Sequence, residues 1–160
     1  MFTYSIVAFT ALASLFGAAR AESHQVTFTN NCGKGNPLFL WQGGGPQGAG
    51  TIKGELNGGI AWLGNTDNCL NSGVNCGAVE FTLQNTGFSQ ADITLEVGPN
   101  GIWGNHQWTY PIKFNFINGC SNGLNCPAAG CSKSVASYSP TQVPLEQCSA
   151  NNAGIHIQFC

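Results

Sequence analysis

The eight cysteines, at positions 32, 69, 76, 120, 126, 131, 148 and 160, constrain this chain more than any other feature, because all of them lie beyond an amino-terminal export signal. Met1 to Ala21 carries an apolar run from Ile6 to Ala18 and small residues at Ala19 and Ala21, the pattern of a secretory leader cut before Glu22. That run is too short to cross a bilayer and no second one of spanning length follows, so a secreted, extracellular protein without a transmembrane segment is expected. An even cysteine count in an exported chain reads as four disulfides. Residues 22–160 suit one domain with a core of ordinary size.

Charge excludes several functions. Beyond the leader, four lysines face seven carboxylates and no arginine remains, which leaves no basic patch for nucleic acid. The histidines at 24, 106 and 156 lack metal-ligand spacing, and Cys126 and Cys131 are too far apart for a zinc-knuckle pair; neither metal nor cofactor is expected. Gly43 to Gly50, GGGPQGAG, has no following Lys-Ser or Lys-Thr pair and no helix, so it is not a phosphate loop; it is expected to be an exposed loop.

Helical periodicity is absent after the leader. Short alternating runs at Gln25–Thr29, Pro37–Gln42, Thr51–Leu56, Gly59–Leu63, Val79–Leu83, Ala91–Val97, Trp108–Ile117 and Gly154–Cys160 are separated by turn residues, which predicts an all-β, disulfide-stabilised antiparallel sandwich or barrel. Pro111 should break the seventh run or hold it at an edge. Residues 118–147, with prolines, three cysteines and no sustained alternation, read as a disulfide-pinned loop region.

The central stretch Cys76 to Val97 carries the candidate chemistry. Val79, Phe81 and Leu83 alternate with Glu80 and Thr82, and Ala91, Ile93, Leu95 and Val97 alternate with Asp92, Thr94 and Glu96. A period of two sends the apolar set inward and stands Glu80, Asp92 and Glu96 on the other face. If NTGFSQ closes a hairpin centred on Thr86, Glu80 lies opposite Asp92 with Cβ atoms roughly 5 Å apart. Two carboxyls so placed resist joint ionisation and form a candidate acid/base pair; the plainer reading is a solvated acidic strand face.

Four pieces in the same order resemble the thaumatin-like, or pathogenesis-related group 5, proteins. Val26–Cys32, VTFTNNC, is similar to that family's opening strand and first cysteine. Ile60–Cys69, IAWLGNTDNC, is similar to its Ile-Trp-x-x-Thr-x-Cys run. Val79–Leu83 and Asp92–Leu95 resemble its Ala-Glu-Phe-x-Leu and Asp-Ile-Ser-Leu, and CSANNAGIHIQFC resembles its closing turn, strand and cysteine. The resemblance implies a thaumatin-like β-sandwich in reduced form, without most of the cysteine-rich second domain that forms the far wall of the family's acidic cleft. It implies Glu80 and Asp92 as two cleft carboxylates, with Glu96 beside the position of a third, at Val97. The family's cleft arginine has no counterpart. The same resemblance implies bonds Cys32–Cys160 and Cys120–Cys148; Cys69 and Cys76 match positions whose family partners lie in a cysteine-rich loop shortened here, so these two neighbours are expected to join each other. It leaves Cys126 with Cys131, although connectivity among the last four stays open on the residues alone.

Carbohydrate recognition is the function the resemblance implies, with cell-wall β-1,3-glucan as ligand. Glu80, Asp92 and Glu96 would supply hydrogen-bonding groups, and Trp103, Trp108 and Tyr110 aromatic faces; Trp62 reads as core. Two alternatives stand beside it: a secreted effector or antimicrobial protein, antifungal in the family's manner, acting on a protein target, and a weak endo-β-1,3-glucanase. In the last case Glu80 would donate the proton and Asp92 serve as nucleophile or base.

Overall fold

The structure, a computed structural model, describes residues 21–66, 69–98 and 105–160. The expected leader, apart from Ala21, and Trp103 lie outside the described residues. The described residues form β1 (Ser23–Asn30), β2 (Asn36–Trp41), β3 (Gly44–Gln47), β4 (Gly50–Lys53), β5 (Leu56–Gly64), β6 (Ala78–Leu83), β7 (Ser89–Thr94), β8 (Ile112–Ile117), β9 (Gly123–Cys126), β10 (Glu146–Cys148) and β11 (Gly154–Phe159), with a 3-10 turn at Asn71–Gly73. A five-stranded sheet runs β4-β1-β11-β8-β9 and a six-stranded sheet β10-β7-β6-β5-β2-β3. Among the described residues, every pairing between these strands is antiparallel except that of the first and last, β1 and β11, which run parallel.

The core lies between the sheets, and alternation explains its membership. In the five-stranded sheet the register sets Val26, Ile155 and Phe116 in one inward row and Phe28, Ile157 and Phe114 in the next. In the six-stranded sheet Phe39, Ala61, Val79 and Ile93 form a row across β2, β5, β6 and β7, all fully buried. The Phe28 and Phe39 rings meet across the interface at 6.2 Å, and Phe39 also faces Phe81 at 6.2 Å.

Several boundaries depart from the sequence reading, each for a local reason. Gly43–Gly50 is not simply an exposed loop: Gly44–Gln47 is an edge strand paired with β2. Its glycines make room for Trp41, since a Cβ at Gly43 or Gly44 would lie 2.6 or 2.3 Å from the indole, and Pro46 is tolerated because the strand is at the sheet's edge. The expected Thr51–Leu56 strand is divided at Gly54, φ +83°, where the chain passes from one sheet to the other, so Leu56 opens β5 instead. Residues 118–147 contain β9 and part of β10 as well as loop, strands too short to show alternation. β7 stops at Thr94, and Val97, expected inside, is exposed. Pro111 directly precedes β8, so Trp108–Pro111 lies outside the strand.

Disulfides join Cys32 to Cys160, Cys69 to Cys76, Cys120 to Cys148 and Cys126 to Cys131. The first ties the parallel pair β1 and β11 just past their carboxyl ends, and the third ties the segment after β8 to β10, which links the two sheets.

Candidate functional site

The outer face of β5, β6 and β7 is laid out in rows by the ladder. Ile60, Glu80 and Asp92 are in register across the three strands, and Thr82 faces Gln90 in the next row. Glu80 therefore stands directly opposite Asp92, as a hairpin centred on Thr86 requires, with Cβ atoms about 5 Å apart. On the other side of β7, Glu146 pairs with Ala91, which brings the adjoining Leu145 beside Asp92.

These residues line a cleft of about 370 Å³, together with Gly58, Gly59, Phe81 and Ala91. The glycines shape its floor. A bulge falls between Leu56 and Gly59, Gly58 takes φ +58°, and its N–H reaches the Thr82 hydroxyl at 3.3 Å. A Cβ at Gly59 would sit 2.6 Å from the Phe81 ring. Small residues here keep one side of the carboxyl pair open.

One end of this face is closed. Trp62 follows Ile60 on the outward side but is 1% exposed, because the turn at Gly73 lies against it; a Cβ on Gly73 would be 3.1 Å from the Trp62 Cβ and 3.0 Å from that of Ala78. His106 fastens this cover. Its N–H donates to the Glu96 carbonyl at 2.9 Å, and its Nδ1 lies 3.0 Å from the Gly73 carbonyl and 3.1 Å from that of Cys76. Both ring partners only accept, so Nδ1 carries the hydrogen.

Burial separates the two carboxyls. Asp92 is 5% exposed, and its pKa is pushed up to about 7, first by loss of water and then by the charges of Glu80 and Glu96. Glu80 stands exposed at the mouth, yet surrounding protein still removes enough water to raise its pKa; His106 works against that rise and Glu96 adds to it. Asp92 is thus a group that holds its proton to near neutrality. Below about pH 7 the cleft offers a neutral carboxyl that donates and accepts, beside a second carboxyl, a hydroxyl and an amide. Ile60 and Leu145 add apolar surface.

The remaining expected site residues are distributed elsewhere. Glu96 lies past the end of β7 and accepts a 2.6 Å hydrogen bond from Ser137, so it acts on the pair through its charge. Trp108 is half-buried against the core. Tyr110 is 6% exposed and lies away from the Glu80–Asp92 cleft; its hydroxyl donates to the Gly77 carbonyl at 2.9 Å and accepts from the Leu63 N–H at 3.0 Å, so it braces the six-stranded sheet. Tyr110→Phe is expected to lower stability by about 2 kcal/mol through the two unsatisfied backbone groups, with ligand binding unaltered. Thermal unfolding with a parallel binding isotherm checks both halves. Among the described residues no group of His, Cys, Asp or Glu is placed to hold a metal ion.

Thr82, Gln90, Gly58 and Leu145 were missed by the sequence reading. Thr82 and Gln90 carry a usable signal, being two residues from Glu80 and Asp92 on alternating strands; Leu145 carries none, since only the β10–β7 pairing brings it there.

No family model matches the sequence, and no curated protein matches it. Among solved structures, the fold is similar to that of a thaumatin-like xylanase inhibitor, with a TM-score of 0.50 over 84% of this chain and 98% of that chain at 18% identity. The likeness speaks for the fold: this is a thaumatin-like, all-β sandwich held by four disulfides.

Proposed function

We propose that the chain is a secreted polysaccharide-binding protein that recognises cell-wall β-1,3-glucan in the Glu80–Asp92 cleft. The observation that carries this reading is the in-register carboxyl pair on an open outer sheet face, with Thr82 and Gln90 in the next row and apolar Ile60 and Leu145 at the sides. A sugar presents hydroxyls that both donate and accept, and patches of C–H between them; this lining offers counterparts to each. The disulfides and the expected leader support an extracellular setting. No helix among the described residues is long and apolar enough to cross a membrane.

Binding is favoured over hydrolysis by the shape of the site. An acid pair accelerates bond cleavage only when the scissile linkage is held within reach, and an open face with Leu145 as its flanking wall fixes a chain loosely. The protein-target reading is the alternative, and the solved neighbour's description as an enzyme inhibitor makes it a necessary control.

Glu80→Gln keeps the shape of the side chain and removes its charge. Affinity for soluble β-1,3-glucan is expected to fall by roughly 1.5 to 3 kcal/mol, the range for hydrogen bonds to charged groups. Glu146→Gln should not change it, since Glu146 is occupied by Asn122 at 2.6 Å. Calorimetric titration, with pull-down on insoluble β-1,3-glucan, chitin and cellulose, is the test. Retention on none of the three would defeat the reading, and release of reducing ends by the unmodified protein would replace binding with hydrolysis.

A further inference from the structure

We propose that Phe88 is the stacking platform of the binding site, one row beyond the cleft, so that a glucan chain lies along β6 and β7 between the acidic pair and the Phe88 ring. This rests on the carbohydrate reading above and extends it to a residue that determines which sugars fit.

The placement follows from the pleat. Ser89, Ala91 and Ile93 turn inward and are buried, so Phe88, Gln90 and Asp92 share the outer side. On β6 the matching set is Glu80 and Thr82, with Gln84 just past the strand, and extension of the register puts Gln84 opposite Phe88. At 3.2–3.4 Å per residue, Phe88 is about 13 Å along the strand from Asp92, with the Thr82–Gln90 row between. Aromatic, polar and acidic rows thus succeed one another along a single line, the order needed to seat successive sugars of one chain.

A lone exposed apolar side chain is ordinary. Phe88 differs in two respects. It is 53% exposed and is the one aromatic among the exposed large apolar residues, the others being Leu70, Val97, Val143 and Leu145, within the described residues. It also stands on a turn that is fixed from below. The fully buried Ser89 hydroxyl accepts from the Gln84 N–H at 3.1 Å and donates to the Gln84 carbonyl at 3.2 Å, while the Gln84 side chain donates to the Phe88 carbonyl at 3.2 Å. Behind the turn, Asn85 donates its N–H to Glu22 at 2.7 Å, and its Oδ1 accepts from the Asn152 N–H at 2.6 Å. A platform held in this way loses little freedom when a ligand settles on it. Phenylalanine has no polar atom to offer, so the ligand it fits is a pyranose with an unsubstituted C–H face; β-linked glucans present one.

The test is calorimetric titration with long soluble β-1,3-glucan and with a disaccharide of the same linkage, on the unmodified protein, Phe88→Ala, Phe88→Leu, Phe88→Trp and Glu80→Gln. Phe88→Ala is expected to weaken the long glucan about tenfold and leave the disaccharide unchanged, with the melting temperature unaltered. Phe88→Trp should hold or tighten binding, and Phe88→Leu should not restore it, which separates a ring face from apolar area alone. Equal affinity of Phe88→Ala and unmodified protein for the long glucan, with Glu80→Gln still impaired, overturns the platform and leaves the carbohydrate reading intact. No heat from the unmodified protein with any glucan overturns both. Full restoration by leucine points to a protein partner's apolar contact and also overturns it.

Discussion

Cys32→Ser, Cys160→Ser is expected to be the most destabilising pair of surface substitutions in this chain, with a loss of about 5 kcal/mol in free energy of unfolding. The bond spans a sequence separation of 128, and the chain-entropy model scales with the logarithm of that number. The same model gives about 2 kcal/mol for Cys126–Cys131, whose separation is 5. Neither Cys32 nor Cys160 is a buried residue, so little packing is lost with the sulfurs and the constraint itself is what the experiment reads. The backbone bonds beside the crosslink, Asn31 N–H to the Phe159 carbonyl and Cys160 N–H to that of Pro111, are left in place. Against a typical domain stability of about 5–15 kcal/mol, such a loss removes between roughly a third and all of it. Guanidinium titration followed by tryptophan fluorescence measures it. A loss below about 2 kcal/mol would show that the parallel pairing of β1 and β11 is determined by its ladder and core contacts alone.

The legibility of this fold in its sequence depends on how far each feature relies on neighbours close in the chain. The β6–β7 hairpin was readable because Val79, Phe81 and Leu83 alternate without interruption, and because a turn centred on Thr86 leaves one register, which places Glu80 against Asp92. β3 was not readable, since its glycines look like flexibility and act as clearance for Trp41. β9 and β10 were not readable either; with four and three residues they have no period to detect, and they exist because longer strands offer them an edge. Tyr110 looked available because it lies beside Trp108 and Pro111 in a polar stretch, whereas its hydroxyl is consumed by backbone groups more than thirty residues away. The burial of Asp92 is of the same kind, since Leu145 reaches it only through the β10–β7 pairing and not through the local alternation. Phe88 sits within the turn sequence, where an aromatic is easily dismissed, although its spacing from Gln90 and Asp92 places it on their face.

Asp92→Asn is expected to raise stability at pH 8 while it weakens glucan binding. The carboxyl's pKa is about 7 in the folded protein against 3.8 for the unperturbed group, so the folded state holds this proton more tightly than the unfolded chain does. Stability from this group is therefore fully present below about pH 4, declines as pH rises between 4 and 7, and is flat above. At 1.36 kcal/mol per pKa unit, ionising Asp92 in the folded protein costs on the order of 4 kcal/mol, a cost that asparagine does not incur. The variant's advantage should be close to zero at pH 4 and near its full value at pH 8, which denaturant titrations at the two pH values will show. An equal gap at both would mean that the advantage comes from packing and not from the proton. Glu80 contributes a slope of the same sign, and Glu22, whose pKa is lowered first by its hydrogen bond to His24, one of the opposite sign; both are shared by the two proteins and largely cancel in the comparison. A carboxyl buried in the floor of this cleft, beside one like charge and near another, is a poor choice for stability and a good one for contact with a polyhydroxylated ligand that brings its own donors and acceptors. Loss of glucan affinity together with gain of stability in the same variant would establish that Asp92 is held there for binding; stability gained with affinity intact would return the acidic pair to the status of an ordinary strand surface.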